Sequence, residues 1–407
     1  MKNKSALSLI FLTVFIDLLG FGILIPILPT FATKILHVDE TAIGIAIAIY
    51  SLVQFFFNPL FGKLSDKYGR KPLIVVSLLL NAAGYLIFAF TSSFLVLLIS
   101  RVVGGIGGSS IGVAQAYIAD VTTRENRSKG MGLIGAAFGL GFVFGPMIGG
   151  MLSKYGYMVT GFASGGFSFI AFILTLILLP ESLKNKNKEV IKRKLIDVKS
   201  FVKVFQKPKL AILVLLFFIL TFSVANIYGT FALLGYKIYG FTDMQNGYMF
   251  GIMGLVGALV QGGLIHVISK YINDRRLIII SSFLMIIGLA SLPYGETFLG
   301  LALIVIVLSI GTGILQPILL SMISKVSSES EQGVTLSINQ SMSAFARVLG
   351  PLWGGFAFEY FGYPFPFLTG AFSTLIIFLI AIFYLPKILN RGDGNNVHEL
   401  NNVIKIN

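Results

Sequence analysis

The sequence predicts an all-α membrane protein of about twelve transmembrane helices, arranged as two similar halves. Three observations predict it. Of 407 residues, 56% are hydrophobic and only 12% are charged, about half the charged share of a soluble chain. So little charge could not cover a soluble surface. Apolar runs of about 20 residues, the length a helix needs to cross a bilayer, recur from end to end. Short fragments of the first half also return in the second at a nearly constant offset.

The apolar runs fall at 6–32, 41–61, 72–91, 93–118, 129–152 and 158–180, then at 209–236, 245–269, 276–294, 297–324, 332–358 and 365–388. Lys2 and Lys4 precede the first run, as in a signal peptide. That run is too long for a signal h-region and lacks a small-residue cleavage site, so it reads as a retained span. Between the sixth and seventh runs lies the longest polar interruption, "ESLKNKNKEVIKRKLIDVKSFVKVFQKPK", with about ten Lys or Arg. Residues 190–205 within it suit a basic amphipathic helix lying on the membrane. The interruption divides the chain into a six-helix half at 1–180, a basic linker at 181–208, a second six-helix half at 209–390 and a polar tail at 391–407.

Lys and Arg are distributed very unevenly about these spans. About 26 fall at the termini and in the even-numbered connections, whereas only Lys34, Lys154 and Lys237 fall on the other side. The asymmetry predicts a multi-pass protein of the cytoplasmic (plasma or inner) membrane with both termini in the cytoplasm. It also accounts for the net charge of +14 through the lipid bilayer, without calling on nucleic acid. Cysteine is absent, so disulfides, thiolate metal sites and a cysteine nucleophile are excluded. His37, His266 and His398 show no metal-ligand spacing. Neither a nucleotide-binding G-x-x-x-x-G-K-[ST] loop nor a Ser/His/Asp or paired-carboxylate constellation is present. An enzyme, a metal, a bound cofactor and direct ATP coupling are therefore not expected.

The repeats mark where the halves correspond. "GPMIGG" at 145–150 returns as "GPLWGG" at 350–355, and each precedes an aromatic-glycine turn, "KYGY" and "EYFGY". "GKLSDKYGRKP" at 62–72 has a degraded echo after the eighth span, "GGLIHVISKYINDRRL".

Charged and polar residues inside or beside the spans are the candidates for function. Asp17, in "FIDLLGFGILIPILP", lies about mid-span. A carboxylate is expensive to keep ionised there, which suits a proton carrier; a structural carboxyl bonded to another helix is the alternative. Arg101 opens "SRVVGGIGGSS" in the fourth span, and Arg347 lies in "SMSAFARVLGPLWGG" in the eleventh. An arginine in a membrane usually has a partner or a task; Arg101 could instead snorkel to the interface, and Arg347 could hold an anionic group or pair with a carboxylate. Gln54, Asn58, Gln115, Asn226, Gln261, Gln316 and Asn339 are embedded amides, candidates for a cavity or for helix–helix hydrogen bonds.

"GKLSDKYGRKP" closely resembles the signature loop of the major facilitator superfamily, G-x-L-x-D-[RK]-x-G-[RK]-[RK], with Gly62, Leu64, Asp66, Lys67, Gly69, Arg70 and Lys71 in place. A loop that merely sets topology needs Lys and Arg, but neither Asp66 nor the paired glycines. "GLGFVFGPMIGG" resembles the family's antiporter-associated motif at Gly141, Gly145, Pro146, Gly149 and Gly150, and Arg101 with its glycines resembles the family's span-four arginine motif. The pattern D-x-x-G-x-G-x-x-x-P-x-x-P in the first span and "AAFGLG" in the fifth extend the likeness to the tetracycline/proton antiporter branch of multidrug efflux proteins.

The resemblance implies the major facilitator fold and a secondary transporter with a midplane site between its halves. It implies proton coupling through Asp17, a cytoplasmic gate at Gly62, Asp66, Gly69, Arg70, Lys71 and Asp120, and roles for Arg101 and the glycine motif. The partners expected are protons, the bilayer and a small amphipathic compound, carried by a monomer. Two positions depart from the branch: Gly84 stands where a span-three carboxylate is found, and the ninth span has no aspartate. Tetracycline itself is therefore not carried over. Proton symport or uniport of a metabolite is an alternative, and a non-transporting membrane receptor is one of another class.

Overall fold

The structure, a computed structural model, describes residues 2–123, 127–183, 198–327 and 332–386. These fold into helices α1 (Lys2–Lys34), α2 (Glu40–Tyr68), α3 (Arg70–Ala89), α4 (Phe94–Gly107), α5 (Ser110–Val121), α6 (Arg127–Leu152) and α7 (Tyr157–Leu178), then α8 (Val198–Phe205), α9 (Pro208–Leu233), α10 (Asp243–Leu259), α11 (Ile265–Tyr271), α12 (Asp274–Ser291), α13 (Phe298–Val326), α14 (Gln332–Tyr360) and α15 (Phe365–Phe383). The fourth span is α4 and α5 together, stepped at Gly108 and Ser109, and α10 runs into α11 through the π turn Val260–Leu264.

Eleven of these segments are long and apolar enough to cross a membrane. The twelfth expected span, α14, matches them in length at 29 residues but is less apolar, because Asn339, Gln340, Arg347 and several serines interrupt it. Leu95, Ile177, Leu299 and Phe372 are 66–70% exposed, an outward apolar surface that lipid, not water, would cover. Of the expected basic surface helix at 190–205, α8 is the described part; most of the linker, the tail 391–407 and His398 lie outside the described residues.

Helix starts follow local chemistry. Asp39 accepts from the Ala42 N–H (2.7 Å), Asn273 from the Arg276 N–H (2.9 Å) and Thr297 from the Gly300 N–H (3.1 Å), each satisfying a first-turn donor. Thr242 and Gln245 form a capping box at the start of α10. Gly156 and Gly362 occupy φ of 105° and 101° in the two repeated aromatic-glycine turns, a conformation that L side chains avoid.

Helices α1–α7 and α9–α15 form two halves with matching contacts. In the first, α6 packs on α1 and α3 packs on α7; in the second, α14 packs on α9 and α12 packs on α15. The halves meet where α6 lies against α10, α2 against α14, and α1 against α9.

Candidate functional site

The membrane-normal axis has two ends. The terminal face carries the start of α1 and the α2–α3 loop; the far face carries the α1–α2 and α7-leading turns. The halves touch each other differently at these two ends.

At the far face they interlock. Lys34, ending α1, lies 3.8 Å from Asp243, which starts α10. Lys237, just beyond α9, pairs with Glu40, which starts α2. These pairs are reciprocal: both lysines and both acids are 203 positions apart in the chain. Tyr157 donates its hydroxyl to Asp243 at 2.9 Å, and the Thr41 N–H donates to Glu359 at 3.1 Å. Backbones also close in. A Cβ on Gly247 would collide with the Pro146 carbonyl, and one on Gly44 with the Pro351 carbonyl. A Cβ on Gly150 would lie 2.6 Å from the Asp243 carbonyl oxygen, and one on Gly355 would collide with that of Glu40. The recurring "GPxxGG" therefore has the same task twice: its Pro carbonyl and last Gly receive a helix of the other half.

Toward the terminal face the contact fades. On α6 a Cβ built on Gly139 would lie 3.4 Å from Ala258 of α10, whereas nothing stands within 4 Å of one built on Gly132 or Gly135 of α6 or on Gly262 or Gly263 past the end of α10. Gly62, expected to permit close helix approach, likewise faces open space.

The remaining glycines of the antiporter-type motif act within the first half. Gly145 abuts Gly22 and Gly141 abuts Leu18, with would-be Cβ distances of 2.7 and 2.8 Å, and Gly149 leaves no room beside Ile23. This is close small-residue packing of α6 on α1.

At the terminal face, Arg70 gathers the expected acids. Its guanidinium lies 2.5 Å from Asp66 and 3.1 Å from Asp120, and it donates to the Ser65 hydroxyl at 2.6 Å. Glu181, not singled out in the sequence, completes the cluster: its carboxylate accepts the Arg70 and Lys71 backbone N–H groups at 2.9 and 3.2 Å. It thus caps α3, whose first turn offers unpaired donors. Gly69, at φ 114°, makes the room, since a Cβ there would strike the Glu181 carboxylate. Lys71 contributes its backbone to this cap. The side-chain partners of Arg70 all belong to the first half, and Glu181 is the first residue of the linker. The signal for Glu181 was an acid opening the basic linker directly after the sixth apolar run.

Inside the membrane, Asp17 is buried and accepts from Asn81 Nδ2 at 3.0 and 3.1 Å and from the Ser168 hydroxyl at 3.0 Å. It is held within the first half by α3 and α7. Arg101 is 4% exposed, which overturns the snorkelling alternative. Its guanidinium stacks over Phe88 at 5.7 Å, its Nε donates to the Ser100 hydroxyl at 3.3 Å, and its Nη2 has no partner among the described residues. The Tyr50 and Tyr85 phenols lie within electrostatic reach of both Asp17 and Arg101.

Between the halves runs an aromatic chain. Phe21 meets Tyr50 (5.4 Å between centroids) and Phe142 (6.1 Å); Phe142 meets Phe138 and, across the halves, Tyr228 (6.3 Å each). Arg347 is half-buried, one turn before Pro351, with the Tyr228 phenol as its electrostatic neighbour. Gln115, Gln261 and Gln316 are exposed, and Gln54 and Asn58 half-buried; Gln54 donates to the Gly108 carbonyl at 2.7 Å, across the α4–α5 step. Asn226 and Asn339 are buried. The Asn226 amide donates to the Pro366 carbonyl at 2.5 Å, a junction of α9 with α15 rather than an open wall.

Two six-helix halves, interlocked at one end and joined by a chain of aromatic contacts, have the architecture of a membrane transporter. Residues 10–298 and 264–399 match the pattern that defines the Major Facilitator Superfamily, and the chain belongs to that family. It is 30% identical over 383 residues to multidrug resistance protein 1 of Bacillus subtilis (strain 168), covering 93% of this chain and 97% of the relative. It is 30% identical over 354 residues to the class C tetracycline resistance protein of Escherichia coli, covering 86% and 89%. The crystal structure of the nucleoside transporter NupG superposes with a TM-score of 0.74 at 16% identity, covering 93% of this chain and 99% of that one; the fold is shared.

Proposed function

We propose that this protein exports small amphipathic compounds from the cytoplasm in exchange for protons, by alternating access of its two halves. The observation that carries the reading is the unequal contact between the halves: ion pairs and glycine–carbonyl crossings at the far face, open space beside the terminal-face glycines, and a chain of aromatic contacts between. The terminal face is cytoplasmic by the Lys and Arg distribution, so this arrangement is the inward-open state. The multidrug and tetracycline resistance proteins that the chain resembles support the cargo and the direction. The proton gradient supplies the energy, and no bound cofactor enters the cycle.

Asp17 is the proton carrier in this reading. It is the one carboxylate well inside a span of the first half, and Asn81 and Ser168 supply neutral donors to its ionised form. An unpaired charge in a membrane is costly, so neutralisation by a proton and release of that proton are coupled to what surrounds α1. The Arg70–Asp66–Asp120 cluster with Glu181 fixes the cytoplasmic ends of α2, α3, α5 and the α7 exit, so these move together when the halves rock.

The test is transport of a drug panel by reconstituted vesicles, with and without an imposed pH difference, for wild type and Asp17→Asn. The substitution mimics the protonated carboxyl. Proton-driven accumulation should fall at least about tenfold, while exchange that moves no net proton persists. Wild-type accumulation by the variant would move the coupling site elsewhere.

A further inference from the structure

We propose that Arg347 anchors an acidic group of the transported compound, so that the cavity selects apolar or aromatic molecules bearing one carboxylate. This deepens the proposed function and rests on reading the space between the halves as the substrate site.

The argument begins with the faces of α14. Gly350 and Gly354 press against Ala225 and Asn226 of α9, while Pro351 and Gly355 press against Gly44 and Glu40 of α2. Position 347 lies three and seven residues before the first pair, and four and eight before the second. Residues so spaced share a helix flank, so Arg347 stands on the seam between α9 of its own half and α2 of the other. Arg347 is part-exposed there, and its electrostatic neighbour Tyr228 crosses between the halves to Phe142.

The charge balance of that space comes next. Of the charges embedded in the membrane, Asp17 is satisfied by Asn81 and Ser168, and Arg101 is enclosed over Phe88, both within the first half. Among the described residues, the ion pairs are Lys34–Asp243, Arg70–Asp66, Arg70–Asp120, Lys237–Glu40 and Lys325–Asp274, so no carboxylate pairs with Arg347. The two positions where the related antiporter branch carries acids, in the third and ninth spans, hold none here. An arginine without a counter-ion in a membrane protein is expensive, and a cavity whose unpaired fixed charge is positive favours an anion. Guanidinium offers paired donors that match a carboxylate. The rings of Phe21, Phe142 and Tyr228 supply faces for an aromatic body beside it.

The test uses three matched probes: 2-naphthoate, its neutral amide 2-naphthamide, and the cation 2-naphthylmethylammonium. Their binding to the full-length protein in lipid nanodiscs is measured separately from transport. Wild type should bind the carboxylate at least about tenfold tighter than the cation. Arg347→Gln should weaken the carboxylate at least about tenfold and leave the amide within about twofold, and Arg347→Lys should fall between, because it keeps the charge and loses the paired geometry. Equal or cation-favouring binding by wild type overturns the inference, as does loss of all three probes together in Arg347→Gln. Arg347-dependent carboxylate binding without any proton-driven transport would uphold the anchor and overturn the efflux reading. Proton-driven transport that is indifferent to probe charge would do the reverse.

Discussion

Gly69 and Glu181 show how much a single position decides at the terminal face. The chain must turn from α2 into α3 on the single intervening residue Gly69, and it does so at φ 114°. Only glycine takes this conformation without strain, and only a residue lacking Cβ leaves space for the Glu181 carboxylate. Gly69→Ala should therefore cost about 1–3 kcal/mol, read as a lower melting temperature in detergent. Glu181→Ala removes the acceptor of two α3 N–H groups and should cost about 1 kcal/mol, with slowed transport. An unchanged melting temperature in both variants would show that the cap contributes nothing. Asp17 carries a different lesson: the sequence places it in the membrane, but its two donors come from Asn81 and Ser168, 64 and 151 residues away.

At the scale of the element, α6 is a helix with two jobs on two flanks. Gly141, Gly145 and Gly149 seat it on α1, while Pro146 and Gly150 receive α10 from the other half. A bulky residue on the first flank would disturb the half itself. A bulky residue facing the second flank should leave both halves folded and prevent their approach. Gly247→Val is the clean case, since the atoms nearest a Cβ there are the Pro146 carbonyl and the Gly150 Cα. The native chain has no cysteine, so Tyr228→Cys, at the aromatic contact between the halves, can report access to the space between them. In a Gly247→Val background, labelling of that cysteine by an impermeant thiol reagent from the far side should rise several-fold. If labelling stays at the level of the unaltered helix, the seal lies elsewhere.

Across the whole molecule, Lys34–Asp243 and Lys237–Glu40 are one interaction made twice by an approximate two-fold axis. Each is partly exposed and contributes only about 0.2–1 kcal/mol. Two together are still enough to bias an access equilibrium severalfold, because that equilibrium is poised within a few kcal/mol. Glu40→Lys should place two lysines together, raise far-side labelling of Tyr228→Cys and lower the apparent population of the inward-open state. Glu40→Lys combined with Lys237→Glu should restore the original labelling, which a merely local disturbance at position 40 would not.

The number and order of the membrane helices, the repeat of halves and the charge asymmetry were legible in the sequence because each depends on local composition or on a fixed offset. Span eleven illustrates why the repeat mattered: its hydropathy is weak, and "GPLWGG" is what aligns it with span five. The signature loop was legible for the same reason, since Asp66 and Arg70 are four residues apart and pair across the Gly69 turn. Which residues share the cavity and which are spent on packing was decided only by tertiary structure. Asn226 and Gln316 are both amides in apolar runs, yet one is buried against α15 and the other is exposed. Nothing local distinguishes them, because their surroundings are made by helices distant in the chain. The far-face seal was hidden likewise. Lys34 and Lys237 could be counted as rare positive charges on that side, but their acids lie in the opposite half, and only the packing of α2 on α14 and α6 on α10 brings them within reach.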